Sequence, residues 1–303
     1  MRYDIRLTVD YRYAGASDHA RNILRLMPME TAMQRVGVRV LTITPAPNER
    51  REGSDFFGNQ TTTVAWHRPV EQITYSLRAK AERLPLSQED LSLPLADLAA
   101  AIAACGLEPM SPQHFLAPSP RILPSEAIAA FARSAVNPQG TARQALRDLG
   151  QALHDHMAFD AAATLVDTPP ETAFAEGRGV CQDFAQIAIC GLRALGVPAA
   201  YVSGFLRTTP PPGQPRLEGV DAMHAWVAAW CGPAQGWVEY DPTNAQWAGE
   251  DYVTVAMGRD YLDAAPVRGA IRTAGAQDSR HVVDVIPLDN PPPPSPGPVP
   301  TRA

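Results

Sequence analysis

Lysine is almost missing from this chain: Lys80 is the sole one among 26 basic residues in 303. Set against 32 acidic residues, the arginines leave a formal net charge of -6. A chain without a basic excess lacks the patches that nucleic acids and anionic membranes reward, so neither is expected as a partner. No apolar run approaches the roughly 18 residues of a membrane span. The opening MRYDIRLTVDYRY alternates apolar and polar residues instead of running apolar as a secretory signal does. Cysteine is scarce, and Cys105, Cys181, Cys190 and Cys231 contain no C-x-x-C pair, which argues against structural zinc. Cys181 and Cys190 on one helix would lie roughly 13 Å apart, beyond the limit of about 7 Å for a disulfide. The expectation is a reduced, cytoplasmic protein. No glycine-rich phosphate loop occurs, and Tyr201-Val202-Ser203-Gly204 lacks the first glycine of a serine-hydrolase elbow. His154 and His156, two apart on a helix, do not converge on a metal, and Gly249-Glu250-Asp251 is too short for a calcium loop. No metal and no cofactor are expected.

What is present divides the chain. With 45% hydrophobic and 19% charged residues it has the composition of a globular protein with room for two domains. Tyr3, Ile5, Leu7, Val9, Tyr11 and Tyr13 recur with period two, as do Val36, Val38 and Val40, and Ile73, Tyr75 and Leu77. Half-buried strands read this way. With Phe56-Phe57-Gly58-Asn59 as a turn, residues 1–84 are expected to form a β-rich, sandwich-like domain. LADLAAAIAA (95–104), SEAIAAFARSA (125–135) and TARQALRDLGQALHDHM (141–157) have helical spacing, with Ser125 and Thr141 as N-caps. A helix over 182–195 carries Phe184, Ile187, Ala188 and Leu192 on one face and ends at Gly196 and Pro198. Strand-like AAYVSGFL, AMHAWVAAWC and GWVEYD follow. TTPPPGQPRLEG (208–219) is a surface loop by composition. The chain thus divides into the β-rich domain 1–84, a second domain 85–270 with a helical connection, a strand segment 271–290 and a Pro-rich, disordered tail 291–303.

GRGVCQDFAQIAICGLRALGVP (177–198) carries the chemistry-bearing cysteine. At the start of a helix, unpaired N–H groups and the positive end of the dipole favour a thiolate. Gly177 and Gly179 let backbone approach a substrate, and the Cys181 N–H faces a developing oxyanion. Free cysteine is also a common core residue, so Cys181 alone decides nothing. DAMHAWVAAWCGPAQGWVEYDPTN (221–244) reads as a hairpin with His224 on one strand and Asp241 at the end of the next. If the loop is the four residues 232–235, Cys231 faces Gly236 and Trp226 faces Asp241. His224 and Asp241 then become diagonal neighbours, about 7–8 Å apart at Cα, within reach of an imidazole–carboxylate bond. An odd loop without a bulge would put them on opposite faces. Asp221, three residues from His224 on a strand, points to the opposite face. Cysteine, base and orienting carboxylate in that order suit nucleophilic catalysis.

These stretches, with VAMGRDYLDAAPVRG, resemble the bacterial transglutaminase-like family of the papain-like cysteine-enzyme superfamily. RYDIRLTVDYRY and DFFGNQ resemble the β-rich domain that precedes the catalytic core in its bacterial members. The resemblance, over residues 2 to about 270, implies an α+β fold in which a nucleophile-bearing helix packs on an antiparallel sheet. It implies a Cys181-His224-Asp241 triad that forms a thioester from an amide of a peptide or protein, resolved by water or an amine. Gly179 and Trp226 are candidate substrate contacts, Trp226 with Trp230 and Trp237 as an acceptor tunnel or as core. Gln186 stands where related sequences often carry His. The rival class is a non-catalytic binding or assembly module on the same fold. Substrate, acceptor and oligomeric state are not legible in the sequence.

Overall fold

Tyr3, Ile5, Leu7 and Val9 lie at 0–1% exposure along one face of β1 (Arg2–Ser17), so the period-two pattern is that of a strand with one buried side. The computed structural model describes residues 1–17, 19–87, 89–209, 217, 219, 221–272 and 277–288; the Pro-rich tail and most of the 208–219 loop lie outside these. Five strands follow: β2 (His19–Leu24), β3 (Gln34–Thr44), β4 (Glu49–Ser54), β5 (Gln60–Trp66) and β6 (Val70–Arg83). In β6 Ile73, Tyr75 and Leu77 are buried. β3 departs from the expected pattern: Val38 and Val40 are exposed, while Leu41 and Ile43 are buried. A bulge between Val36 and Arg39 shifts the register and turns these valines outward.

Helices α1 (Leu98–Ala103), α2 (Glu126–Ala135) and α3 (Ala142–His156) then lead to the short parallel pair β7 (Ala158–Phe159) and β8 (Arg178–Gly179), which flank α4 (Pro170–Glu176). A 3-10 turn, Leu95–Asp97, opens the first helical stretch. Thr141 caps α3, its hydroxyl accepting from the Gln144 N–H while Gln144 accepts from the Thr141 N–H. Ser125 precedes α2, but its hydroxyl donates to Glu171 and makes no cap bond.

α5 (Cys181–Ala194) packs on a five-stranded antiparallel sheet of order β12-β11-β10-β9-β13. Its strands are β9 (Ala199–Leu206), β10 (Ala222–Trp230), β11 (Trp237–Asp241), β12 (Gln246–Trp247) and β13 (Tyr252–Gly258). Residues 199–205 of β9 are all buried, because α5 covers one face while Phe205 faces the sandwich core with Val253 and Val255 of β13. After α6 (Tyr261–Ala264) the chain returns to its first domain. β14 (Val267–Arg272) pairs with β2, and β15 (Gln277–Pro287) pairs with β1 along its length. The sandwich sheets are therefore β15-β1-β6-β3 and β14-β2-β5-β4. β14 and β15 thus both belong to the β-sandwich, and of the segment read as 271–290 the described residues end β14 and form β15, an outer strand beside β1.

The edge strand β13 is closed by side chains from the sandwich. Gln34 donates to the Thr254 carbonyl at 2.7 Å and accepts its N–H at 2.8 Å. Asn59 does the same for Met257, at 2.7 and 2.8 Å. Two primary amides thus supply the donor and acceptor that a neighbouring strand would.

Candidate active site

Cys181 is the first residue of α5, and Val180 is its N-cap. Valine has no capping side chain, so the cap is made from the other side. The Val180 N–H donates to Asp183 Oδ2 at 2.8 Å, and the Thr164 hydroxyl donates to the same oxygen at 2.6 Å. The N–H groups of Asp183 and Phe184 turn back to the Val180 carbonyl. Those of Cys181 and Gln182 have no acceptor among the described residues and lie at the positive end of the helix. Asp183 is fully buried with Oδ1 unpartnered, and burial raises its pKa against the bonds from Thr164 and Val180.

This cap gives Gly179 a structural reason of its own. The glycine is buried, and a Cβ there would sit 2.7 Å from Asp183 Oδ2 and 2.8 Å from Asp183 Cβ. Gly177, in contrast, requires its glycine for the left-handed turn that ends α4, at φ +64°.

The hairpin follows the register expected from its turn: Val227 faces Tyr240, Trp230 faces Trp237, and the Cys231 N–H bonds to the Gly236 carbonyl. Continuing it sets Trp226 opposite Asp241. His224 Nε2 lies 2.7 Å from Asp241 Oδ2. With Nε2 committed to the carboxylate, Nδ1 is the nitrogen left to face Cys181, whose thiol raises the imidazole pKa. Burial pulls the imidazole pKa down, but the bonds to Asp241 and Cys181 outweigh it and raise it to about 10. Asp241 has no exposed surface. Burial would raise its pKa, yet bonds from His224, Tyr252 and Asn244 hold it below the usual carboxylate value.

Tyr252 and Asn244 escaped the sequence reading. The Tyr252 hydroxyl and the Asn244 amide each donate to Asp241 Oδ2 at 2.7 Å, while Oδ1 accepts the N–H groups of Thr243 and Asn244. Gln246 in turn donates to the Tyr252 hydroxyl at 2.7 Å. The Asp-Pro-Thr-Asn run carries a signal for Asn244, since aspartate commonly accepts from the N–H two residues on. Nothing local marks Tyr252, which arrives on a strand on the far side of β9.

Trp226 is fully buried. Its indole N–H donates to Glu239 Oε2 at 2.9 Å, and its ring meets Tyr252 edge-on, 5.2 Å between centroids. It lies on the histidine's own strand, two residues on, and its buried ring offers no surface to a substrate, which corrects its candidacy as a contact. Asp221 binds the N–H groups of Thr208 and Val285. Asp260 caps α6 and accepts the Arg121 N–H. His154 bonds the Thr243 carbonyl, and the His156 ring packs at a tilt against both Phe131 and Phe174. Gln186 is buried in α5 with Oε1 unpartnered.

The family model of the transglutaminase-like superfamily matches residues 129–242, and that of the bacterial transglutaminase-like N-terminal region matches residues 3–82. An uncharacterized protein of Mycobacterium tuberculosis is 32% identical over 95% of this chain and 93% of its own. The chain belongs to the transglutaminase-like superfamily. A further uncharacterized relative, from Mycobacterium leprae, is 29% identical over 92% of this chain and 96% of its own. Among solved structures, a Cytophaga hutchinsonii protein provisionally named a cysteine protease shares the fold at a TM-score of 0.73. It is 22% identical, covering 97% of this chain and 93% of that one. The transglutaminase-like core in this chain therefore spans α2 to the end of β11, and the matched N-terminal region ends within β6, short of the strands that return at the C-terminal end.

Proposed function

We propose that this transglutaminase-like protein is a cysteine-dependent amide-bond enzyme acting on peptides or proteins through a thioester on Cys181. One observation carries the reading: the buried Asp241 holds His224 by Nε2, and the other edge of the ring is left for a cysteine at a helix start. The thiolate attacks a carboxamide carbonyl. The Cys181 N–H donates to the oxyanion, His224 protonates the leaving amine, and Asp241 keeps the ring oriented and its charge balanced. Water then releases the acid; a primary amine at the same step gives transamidation. Hydrolysis is the form we favour, because water needs no recognition site.

The rate of iodoacetamide alkylation of Cys181 against pH, in wild type and His224→Ala, tests the pair without a substrate. A wild-type rate already at plateau near pH ~6, moving toward about 8.5 in the variant, supports a thiolate–imidazolium pair. A free-cysteine profile in both proteins sinks it and leaves the binding-module reading. Product analysis of a glutaminyl peptide, with and without a labelled amine, then separates hydrolysis from transfer.

A further inference from the structure

A cavity of about 520 Å³ opens where four parts of the chain meet: Arg25 after β2, the turn after β4, the 3-10 turn Pro112–Phe115, and the α6 region. It shares no lining residue with Cys181, His224 or Asp241. Two arginine–aspartate pairs stand in its wall. Arg25 Nε donates to Asp55 Oδ2 at 2.8 Å, and Arg259 Nε donates to Asp263 Oδ2 at 2.8 Å.

The two carboxylates of this wall are each engaged by several donors. Asp55 also takes the N–H groups of Phe57 and Asn59 and the Asn59 amide. Asp263 also takes the Arg259 N–H and its Nη2. The donors are in surplus. Arg25 uses only Nε; its Nη1 has no partner among the described residues but is buried, so a ligand reaches it only if the side chain shifts. Arg259 uses Nε and Nη2, leaving Nη1, on a side chain 38% exposed. A guanidinium surplus beside engaged carboxylates favours a ligand that brings its own negative charge, and the planar fork suits a carboxylate.

Phe56, Phe57 and His114 make an aromatic part of the wall, beside Gln113 and Ala117. Phe56, 56% exposed, meets Phe57 and His114 edge-on, each at 5.1 Å between centroids. Arg259 sits 5.8 Å over the Phe57 ring, which orients that guanidinium at the cavity. An exposed phenylalanine beside underused arginines is a surface for an apolar body whose charged end lies between the arginines.

We infer that this cavity is a binding site for a carboxylate carried on an aromatic or apolar body. Such a group comes either from a free small acid or from the C-terminus of a peptide ending in an aromatic residue.

Calorimetric titration of the full chain tests it, with phenylacetate, 2-phenylethanol, inorganic phosphate, and a tripeptide ending in Phe as free acid or amide. Phenylacetate is expected to bind at least about tenfold more tightly than the alcohol or phosphate, the range of a charged hydrogen bond. Arg259→Gln and Phe56→Ala, both on exposed side chains, should each weaken it by a similar factor, with Tm confirming that the variants fold. Tighter binding of the free-acid peptide than of phenylacetate assigns the site to a chain terminus; the reverse assigns it to a small acid. No binding, equal binding of acid and alcohol, or affinity unchanged in both variants overturns the inference. Phosphate binding as tightly as phenylacetate overturns it too, leaving a plain anion site.

Discussion

Asp241 accepts five hydrogen bonds, from His224, Tyr252, the Asn244 amide and two backbone N–H groups. Three converge on Oδ2, so the oxygen that orients the histidine is itself oriented. Tyr252→Phe removes one charged hydrogen bond, about 1.5–3 kcal/mol, and should lower kcat roughly tenfold to a hundredfold while leaving KM unchanged. A purely structural tyrosine would lower Tm without moving the alkylation pH profile; a positioning one moves the profile. The His224–Asp241 contact also has a pH signature. The folded pKa of His224, about 10, lies above the unfolded value of ~6.5. Its contribution to stability is full below the unfolded value and disappears as pH rises through the folded one. Urea midpoints of wild type and His224→Gln should therefore differ most near pH 6 and converge toward pH 10. A gap that stays constant would contradict the bond.

At the scale of an element, α5 starts where Asp183 reaches back to Val180, and Gly179 leaves room for it. Gly179→Ala puts a methyl into a 2.7 Å contact with Asp183 Oδ2. The expected result is a stability loss of about 1–3 kcal/mol and slower Cys181 alkylation, read by urea melts and labelling at one pH. A glycine in the hairpin loop, Gly236, has nothing within 4 Å of its Cβ position, but its φ of +70° still strains a replacement. The alanine change there should lower stability without touching Cys181, which separates backbone strain from damage to the cap.

For the whole molecule, a buried ion pair joins sandwich to core. Arg83 on β6 and Glu239 on β11 meet at 2.9 Å, with side chains 1% and 9% exposed. Arg83 also donates to Thr254 Oγ1 and to the carbonyls of Ala248 and Gly249. Glu239 accepts from Trp226, on the same strand as His224. Arg83→Met leaves Glu239 buried without its cation, a loss of about 3–5 kcal/mol. Arg83→Met with Glu239→Gln should recover much of it, as Tm will show. Removing residues 267–303 strips β14 and β15 from both sandwich sheets and exposes two open edges. That truncation should aggregate even though Cys181, His224 and Asp241 are all retained, as light scattering will show.

Where the physics is local, the sequence alone sufficed. Period-two burial along β1 and β6, the Thr141 cap, the Gly196 stop and the hairpin register near Asp241 all follow from spacing, sterics and turn length within some twenty residues. Other features depend on contacts that spacing does not encode. The outward turn of Val38 and Val40 comes from a bulge set by pairing with β6. Gly179 was legible as a glycine needed at close quarters, but only the packed helix shows that Asp183 takes the room. Trp226 was open to two readings until both faces of its sheet were covered. Tyr252 reaches Asp241 across the sheet, and β15 reaches β1 from the other end of the chain. Backbone geometry and side-chain periodicity are properties of neighbouring residues, so the sequence determines them directly. Which distant strand lies alongside, and so which hydroxyl completes a buried carboxylate, is decided only when the whole chain packs.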